Sequence, residues 1–594
     1  MIRIVAYIGV VAAVLVAVVV GDRPLPRADL VFADIQPAFT LDPQRMSYEQ
    51  DFRLAYALYE GLVRWDNDTF EVEPAGAESW TVSPDLRTYT FTLRDDARWS
   101  NGEPVRARDY VYAWERAVLP DTAADYAQLM FVIDGAQELF DWRSDQLEAY
   151  AARPAAQRTA AAAAQARDEL EQQARATLGV RALDDRTLEL RLARPTPYIL
   201  DLLCFATFMP VHAETVEGYV GLDPGSARIE QRHGWTKAGA HVGNGPYRLT
   251  RWRFKRDMRL ERNPYYHDQD LIRSNTIEIR TIESPTTAVL AFETGAVDWL
   301  TDVTVEYLPD LLAAQKRGER NDVVWFPNFG TYFCNFNCSP VLSDGRANPL
   351  ADARVRRALA MSVDKTALVE QVRRVGEPVA NTLIPPGSLP GFDPDRTIHG
   401  VLYDPDAARA LLAEAGWSDR DGDGVVENPA GEPFPVIELL CTSGSYHDTL
   451  AQAMQSMWER ALGIRCGIRI KETKTYRDDL KRKDYMMARG GWFGDYGDPT
   501  TFLTLHRTGD GNNDRGYSDP VYDDLFDRAV VETDPDTRMR MLEELERYTM
   551  EETLPLLPIF NYVQFYLADR ERFHGLSLHP RKQQYLFKLW VDRG

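Results

Sequence analysis

The chain opens with an unbroken apolar run, Ile4 to Val20, preceded by Arg3 and closed by Gly21-Asp-Arg-Pro. That length is at the short end of what spans a bilayer, and the leading cation favours a cytoplasmic N-terminus with the remainder outside. No A-x-A-like cleavage site is evident, so residues 1–28 read as a membrane anchor or a signal, with the uncleaved anchor favoured, and either implies export. From Asp29 onward strands and turns dominate, with L-V-F-A first and then a helix from about Tyr48 to Glu60. Thr88 to Leu93 alternates large apolar residues with threonine, the period of a half-buried strand. Tyr110, Ala113, Trp114 and Ala117 recur at helical spacing and read as core. Residues 136–178 are dense in Ala, Glu, Gln and Arg with few large apolar side chains, which predicts one long, mostly solvated helix in a peripheral insertion.

Past Arg181 the strand pattern returns as T-L-E-L-R-L, and P-T-P-Y-I-L-D-L-L starts a helix with prolines before its first turn. Between Gly243 and Asp298 strands alternate with helices, and a second such set begins at about Tyr332, so the fold class is α/β. A helix over D-P-D-A-A-R-A-L-L-A-E-A stops at Gly416. Strand I-E-L-L, helix T-L-A-Q-A-M-Q-S-M-W-E-R-A-L-G and strand I-R-C-G-I-R-I make a right-handed βαβ crossover. After that unit comes Arg489 to Leu503, R-G-G-W-F-G-D-Y-G-D-P-T-T-F-L. Glycines in a strand-like run let another group approach the backbone closely, and a ligand is the expected group. Trp492 and Phe493 offer apolar contact, and Asp495 ends the row with a carboxylate. Pro555 to Leu567 is a further strand region, after which the chain is expected to return to the first part of the molecule.

Composition narrows the function. With 44% hydrophobic and 11% aromatic residues over 594 positions, a large core forms without disulfide staples. A net charge of −22 with no basic run excludes nucleic acid and anionic membrane surfaces as main partners. The five cysteines show no C-x-x-C spacing, so no metal or redox motif follows. Cys334 and Cys338 lie in a strand-like run where four residues span roughly 13 Å, too far for a disulfide. Asp419 to Asn428 begins like a calcium loop, but its twelfth position is Ala430, and an exposed turn without metal is expected. No phosphate loop, H-E-x-x-H or G-x-S-x-G occurs, and the nine histidines are scattered, so the chain reads as neither an enzyme nor a cofactor protein.

The segments L-D-P (41–43), Y-E-G-L-V (59–63), T-F-x-L-R-D-D-A-x-W-S-N-G-E-P-V (90–105), G-N-G-P-Y-x-L (243–249), L-E-R-N-P-Y-Y (260–266), R-V-R-R-A-L-A-x-x-V-D-K (354–365) and A-R-G-G-W-F-G-D-Y-G-D-P-T-T-F-L (488–503) occur in this order. Together they resemble the extracytoplasmic peptide- and oligopeptide-binding proteins of ABC importers. The resemblance implies a two-lobed α/β fold of the periplasmic binding-protein type (type II), with an additional subdomain on lobe I and a hinge of two crossing segments. It implies a monomer that holds a short peptide and passes it to permease and ATPase subunits that are separate chains. It also implies that Asp495 holds the peptide's α-ammonium, that the backbone around it, Gly491 to Gly494, pairs with the peptide, that Arg489 meets its C-terminus, and that Tyr126 lines the site. Two positions depart from the family pattern. E-W-K-T reads Glu472-Thr473-Lys474-Thr475 here, and the acidic position after L-D-P is Ser47. Rival cargoes within the resemblance are nickel complexes and oligosaccharides, and a rival role is that of a sensor.

The division expected from these patterns is lobe I in three pieces, 29–60, 182–333 and 563–594, with the additional subdomain at 61–181 and lobe II at 334–562.

Overall fold

A ten-stranded sheet runs through the whole molecule in the computed structural model, which describes residues 25–232, 234–304, 307–443 and 446–594. Its strands in chain order are β1 (Leu30–Asp34), β2 (Tyr247–Arg253), β3 (Asp257–Arg262), β4 (Thr276–Thr281), β5 (Trp299–Leu300), β6 (Val323–Phe336), β7 (Ile437–Thr442), β8 (Cys466–Lys471), β9 (Met487–Phe493) and β10 (Leu556–Ala568). Their spatial order is β2-β3-β4-β1-β5-β10-β6-β9-β7-β8. The expected Ile4 to Val20 anchor lies outside the described residues, and among these no helix is long and apolar enough to cross a membrane.

The fold is two-lobed. Strands β1 and β5 are covered on both faces by apolar clusters, one holding Phe32, Trp99, Trp114 and Trp299 and the other Val31, Ala33, Leu300 and Phe565. Strands β7 and β9 are covered likewise, by a cluster holding Ile437, Leu439, Trp458 and Met487 and another holding Leu440, Tyr476 and Ala488. Burial on both faces explains why the central strands, such as Leu30–Asp34, read as near-continuous apolar runs, while Thr276–Thr281 nearer the edge alternates. Among the described residues β6 and β10, 14 and 13 residues long, pass from one lobe into the other. Their antiparallel register is regular from Val323↔Leu567 to Pro327↔Val563 and then shifts before Thr331↔Asn561. A shift of this kind is a bulge that bends and twists the pair, and it sits where the lobes meet.

Lobe I carries a smaller antiparallel sheet, with Ala77–Val82, Thr88–Leu93, Thr187–Arg191 and Val180–Ala182 in that order across it. The helix Ala107–Val118 buries Tyr110 and Trp114 completely, as their spacing predicts. The long helix expected over 136–178 is instead two, Ala136–Ala151 and Ala160–Thr177, packed on each other. Pro154 lacks an N–H and disfavours helical geometry in the residue before it, and Thr159 caps the second helix by accepting from the Ala162 N–H at 3.2 Å. Ala163, Ala166, Leu170 and Ala174 form its buried stripe. Strands β7 and β8 pair in parallel around the helix His447–Leu462, the expected βαβ unit. All five cysteines are unpaired, and four are buried. The C-terminal segment returns to lobe I, where Tyr585, Leu586 and Phe587 join the same core as Leu54, Tyr56 and Trp65.

Candidate functional site

Strand β9 has one side paired and one largely open. It runs antiparallel to β6 over its whole length, from Phe336↔Met487 to Gly330↔Phe493. On its other side β7 pairs only with Met487 and Ala488. The carbonyl of Met486 accepts from Asn337 and the N–H of Gly494 donates to Phe329, so even-numbered residues turn their peptide groups toward β6. By strand alternation Arg489, Gly491 and Phe493 turn theirs toward the open side. The Tyr476 hydroxyl donates to the Arg489 carbonyl, which leaves the peptide groups of Gly491 and Phe493 for another strand.

The glycines here answer to the protein's own rings as well as to any ligand. A Cβ on Gly491 would stand 2.5 Å from the Tyr562 hydroxyl oxygen, and one on Gly494 would overlap the Phe329 ring. Tyr562 in turn stacks on Phe493 at 4.7 Å between ring centroids, and Phe493 stays 47% exposed, a free aromatic face beside the open edge. Trp492 points to the opposite face of the strand, where its indole N–H donates to the Thr501 carbonyl at 2.8 Å.

Two carboxylates follow β9, with different surroundings. Asp498 is held by both guanidinium nitrogens of Arg538, at 2.6 and 2.9 Å, in a pair with each side chain 3% exposed. Asp495 has only its backbone fixed, by an N–H bond to Thr501 Oγ1 at 3.0 Å, and its carboxylate has no cationic partner among the described residues. It lines a cavity of about 230 Å³ between the lobes, together with Phe52, Tyr56 and Phe205 of lobe I and Phe329 and Phe493 at its far wall. The carboxylate is reachable from the open cleft, yet protein on both sides displaces much of its water, and this pushes its pKa up to about 6.

Lobe I reaches the same point. Tyr126 packs against Phe205 and Phe52, with ring centroids 4.9 and 5.9 Å away, and its pKa is pushed up to about 12 by burial and then by the negative charge of Asp495. The loop carrying Asp495 is tied across the lobes, because the Gly497 N–H donates to Asp201 at 2.7 Å and Tyr496 stacks on Tyr198 at 4.8 Å. Asp201 itself is fixed by Arg581 at 2.5 and 2.8 Å and by the Trp65 indole at 2.8 Å.

At the other end of the open edge, Arg489 shares the face of Gly491 and Phe493. Its Nε donates to Thr442 Oγ1 at 3.3 Å, and no carboxylate pairs with it among the described residues. His447 lies nearby with its pKa lowered to about 4, first by burial and then by Arg489 and Arg373, so it is neutral. Arg373 is engaged by Glu377 at 2.8 Å and lies over the Tyr446 ring at 3.3 Å. Sequence reasoning missed His447, Arg373, Tyr446 and Tyr562, which come from distant segments. It also missed Asp125, whose carboxylate accepts from the Ser47 hydroxyl and so puts an acid beside the position where the sequence lacks one. Asp495, Phe493 and Gly494 meet at the cleft with Tyr126 close to Asp495, Gly491 lies two residues back along the open edge, and Trp492 and Arg489 leave the strand on opposite faces.

Comparison with known proteins places the chain among relatives of one kind. The sequence model described as bacterial extracellular solute-binding proteins, family 5 Middle, matches residues 71–514. Oligopeptide-binding protein OppA of Bacillus subtilis (strain 168) is 31% identical over 533 residues, covering 88% of this chain and 85% of that one. Among solved structures, the periplasmic murein tripeptide-binding protein MppA in its unliganded open form superposes with a TM-score of 0.75 at 27% identity, covering 96% of this chain and 98% of that one. Haemophilus influenzae OppA in complex with the peptide RPPGFSPFR gives a TM-score of 0.65 at 27% identity, covering 96% and 99%. The chain thus belongs to the bacterial extracellular solute-binding proteins of family 5.

Proposed function

We propose that this protein captures short peptides between its two lobes and delivers them to an ABC-type permease and ATPase that are separate chains. The observation that carries the reading is a strand edge open at Gly491 and Phe493 that runs directly into an unpaired carboxylate, Asp495, inside the cleft. A binder of many peptide sequences takes its affinity from what all peptides share, namely backbone pairing and charged termini. A peptide added antiparallel to β9 exchanges backbone bonds with Phe493 and Gly491, its α-ammonium meets Asp495, and its C-terminal carboxylate runs toward Arg489 beside neutral His447. Tyr126 closes the ammonium end from lobe I.

The bulge in β6 and β10 at Pro327–Thr331 and Asn561–Val563 is the hinge in this reading, with lobe II as residues 334–562, lobe I as 29–60, 182–333 and 563–594, and the additional subdomain as 61–181. The higher TM-score with the open form of MppA than with peptide-complexed OppA supports an open cleft here. Family membership supports a transport role. The Ile4 to Val20 run tethers the monomer on the outer side of the cell membrane, near its permease. Calorimetry with a free tripeptide tests the reading. Saturable binding of one peptide per chain is expected, and no heat with any short peptide, alongside binding of a metal complex or a sugar, would overturn it.

A further inference from the structure

The open edge of β9 leads into a second cavity, a groove of about 420 Å³ on the face of the strand opposite Phe493. Gly490 is its floor, because a side chain there would run into the Phe333 ring that lines the groove beneath it. Trp492 stands at one end, and the helix Thr473–Arg482 forms the wall that faces the open edge.

The groove is strongly cationic. Arg477, Lys481 and Arg515 line it against a single carboxylate, Asp514, and that one is engaged by Lys481 at 2.9 Å. Arg477 has no carboxylate partner among the described residues and lies exposed at the rim. Arg515 is 2% exposed, and its guanidinium donates only to neutral oxygens, of Asn335, Leu505 and Asn512, while its Nε meets no acceptor. A buried cation with no anion bonded to it is costly, and a carboxylate brought within reach relieves that cost.

Strand alternation says which ligand residue meets this groove. In a peptide paired antiparallel on the open edge with its α-ammonium at Asp495, the first residue lies opposite Phe493 and the third opposite Gly491. The second then lies opposite Trp492, and its side chain projects to the Gly490 and Trp492 face, into the groove. Resting on the peptide reading above, we propose that this groove selects peptides with an acidic second residue, whose side-chain carboxylate accepts from Arg477 in the field of Lys481 and Arg515.

The test is calorimetry of the full chain with Ala-Glu-Ala and Ala-Gln-Ala, which differ only in that charge. At low salt the glutamate peptide is expected to bind about tenfold tighter, the scale of one charge-assisted bond. The ratio should shrink at about 0.5 M salt, where exposed charges are screened. Arg477→Gln, a change on an exposed helical face, should bring the ratio below about threefold by weakening Ala-Glu-Ala more than Ala-Gln-Ala. Equal binding of both peptides to the wild type would overturn the inference and leave the peptide reading standing. A glutamate preference that persists unchanged in Arg477→Gln and in Arg477→Gln/Lys481→Gln would also overturn it. If neither peptide nor Ala-Ala-Ala bound, the peptide reading would fall and this inference with it.

Discussion

Asp495 and Asp498 share one short loop, and their partners separate them. Arg538 neutralises Asp498 inside lobe II, so that carboxylate holds the loop in shape and has no charge left to offer. Asp495 has no cationic partner among the described residues and is partly stripped of water, and in the proposed reading it receives the peptide's α-ammonium. Asp495→Asn keeps the shape and removes the charge, and should weaken tripeptide binding by roughly 2–5 kcal/mol, tens to thousands of fold. N-acetylation of the peptide should cost the wild type a similar factor and the variant much less, since both changes delete one contact. Equal acetylation penalties in the two proteins would remove Asp495 from the site. The pH dependence follows from the same group. The ionised form binds the ammonium, and its pKa without ligand is about 6, so affinity should be full above that pH and decline as pH falls through it. In Asp495→Asn the profile should be flat. The sign for stability is opposite, because a raised carboxylate pKa means that the ionised form disfavours the folded state. Unliganded Asp495→Asn should therefore melt above the wild type at pH 7, which differential scanning calorimetry reads directly. Asp495 was legible in the sequence because it ends a local glycine-rich pattern. That Arg538 occupies its neighbour was not, since the pair is made by tertiary packing.

At the scale of elements, β9 shows both the reach and the limit of sequence pattern. The run Arg489 to Leu503 announces a strand followed by a turn, and β9 with the loop after it is that element. The pattern does not say what approaches the glycines. For Gly491 one neighbour is Tyr562, from a strand far along the chain, whose ring also supports Phe493. Gly491→Ala should displace that ring and destabilise the protein by about 1–3 kcal/mol, the usual cost of overpacking. Tyr562→Phe removes the closest atom, so the double variant should recover most of the loss in thermal unfolding. No recovery would show that the glycine serves the backbone alone. The helical hairpin 136–177 marks another limit. Its composition gives helix propensity throughout, and the fold-back depends on Pro154 and on an alanine stripe that is apolar enough to bury yet too small to stand out.

The whole molecule joins two lobes through β6 and β10, a crossing that no local window of the sequence displays. A strand region was readable at Pro555 to Leu567 and a strand-like run around Cys334, but the register shift between Pro327 and Thr331 arises from their pairing and is visible only in three dimensions. For localisation, the protein should remain in the membrane fraction with its first residues intact, as the Ile4 to Val20 run predicts. Recovery of a soluble form beginning near Arg27 would show instead that the run is removed. The function itself depends on closure. A ligand shifts the balance toward a closed form only if it contacts both lobes, and Asp495 with Tyr126 offers one contact from each. Small-angle scattering with and without saturating tripeptide is the most direct measurement of this capture. The account predicts a smaller radius of gyration with peptide and none of that change with the N-acetylated peptide at the same concentration. An unchanged radius at saturation, with binding confirmed by calorimetry, would contradict it.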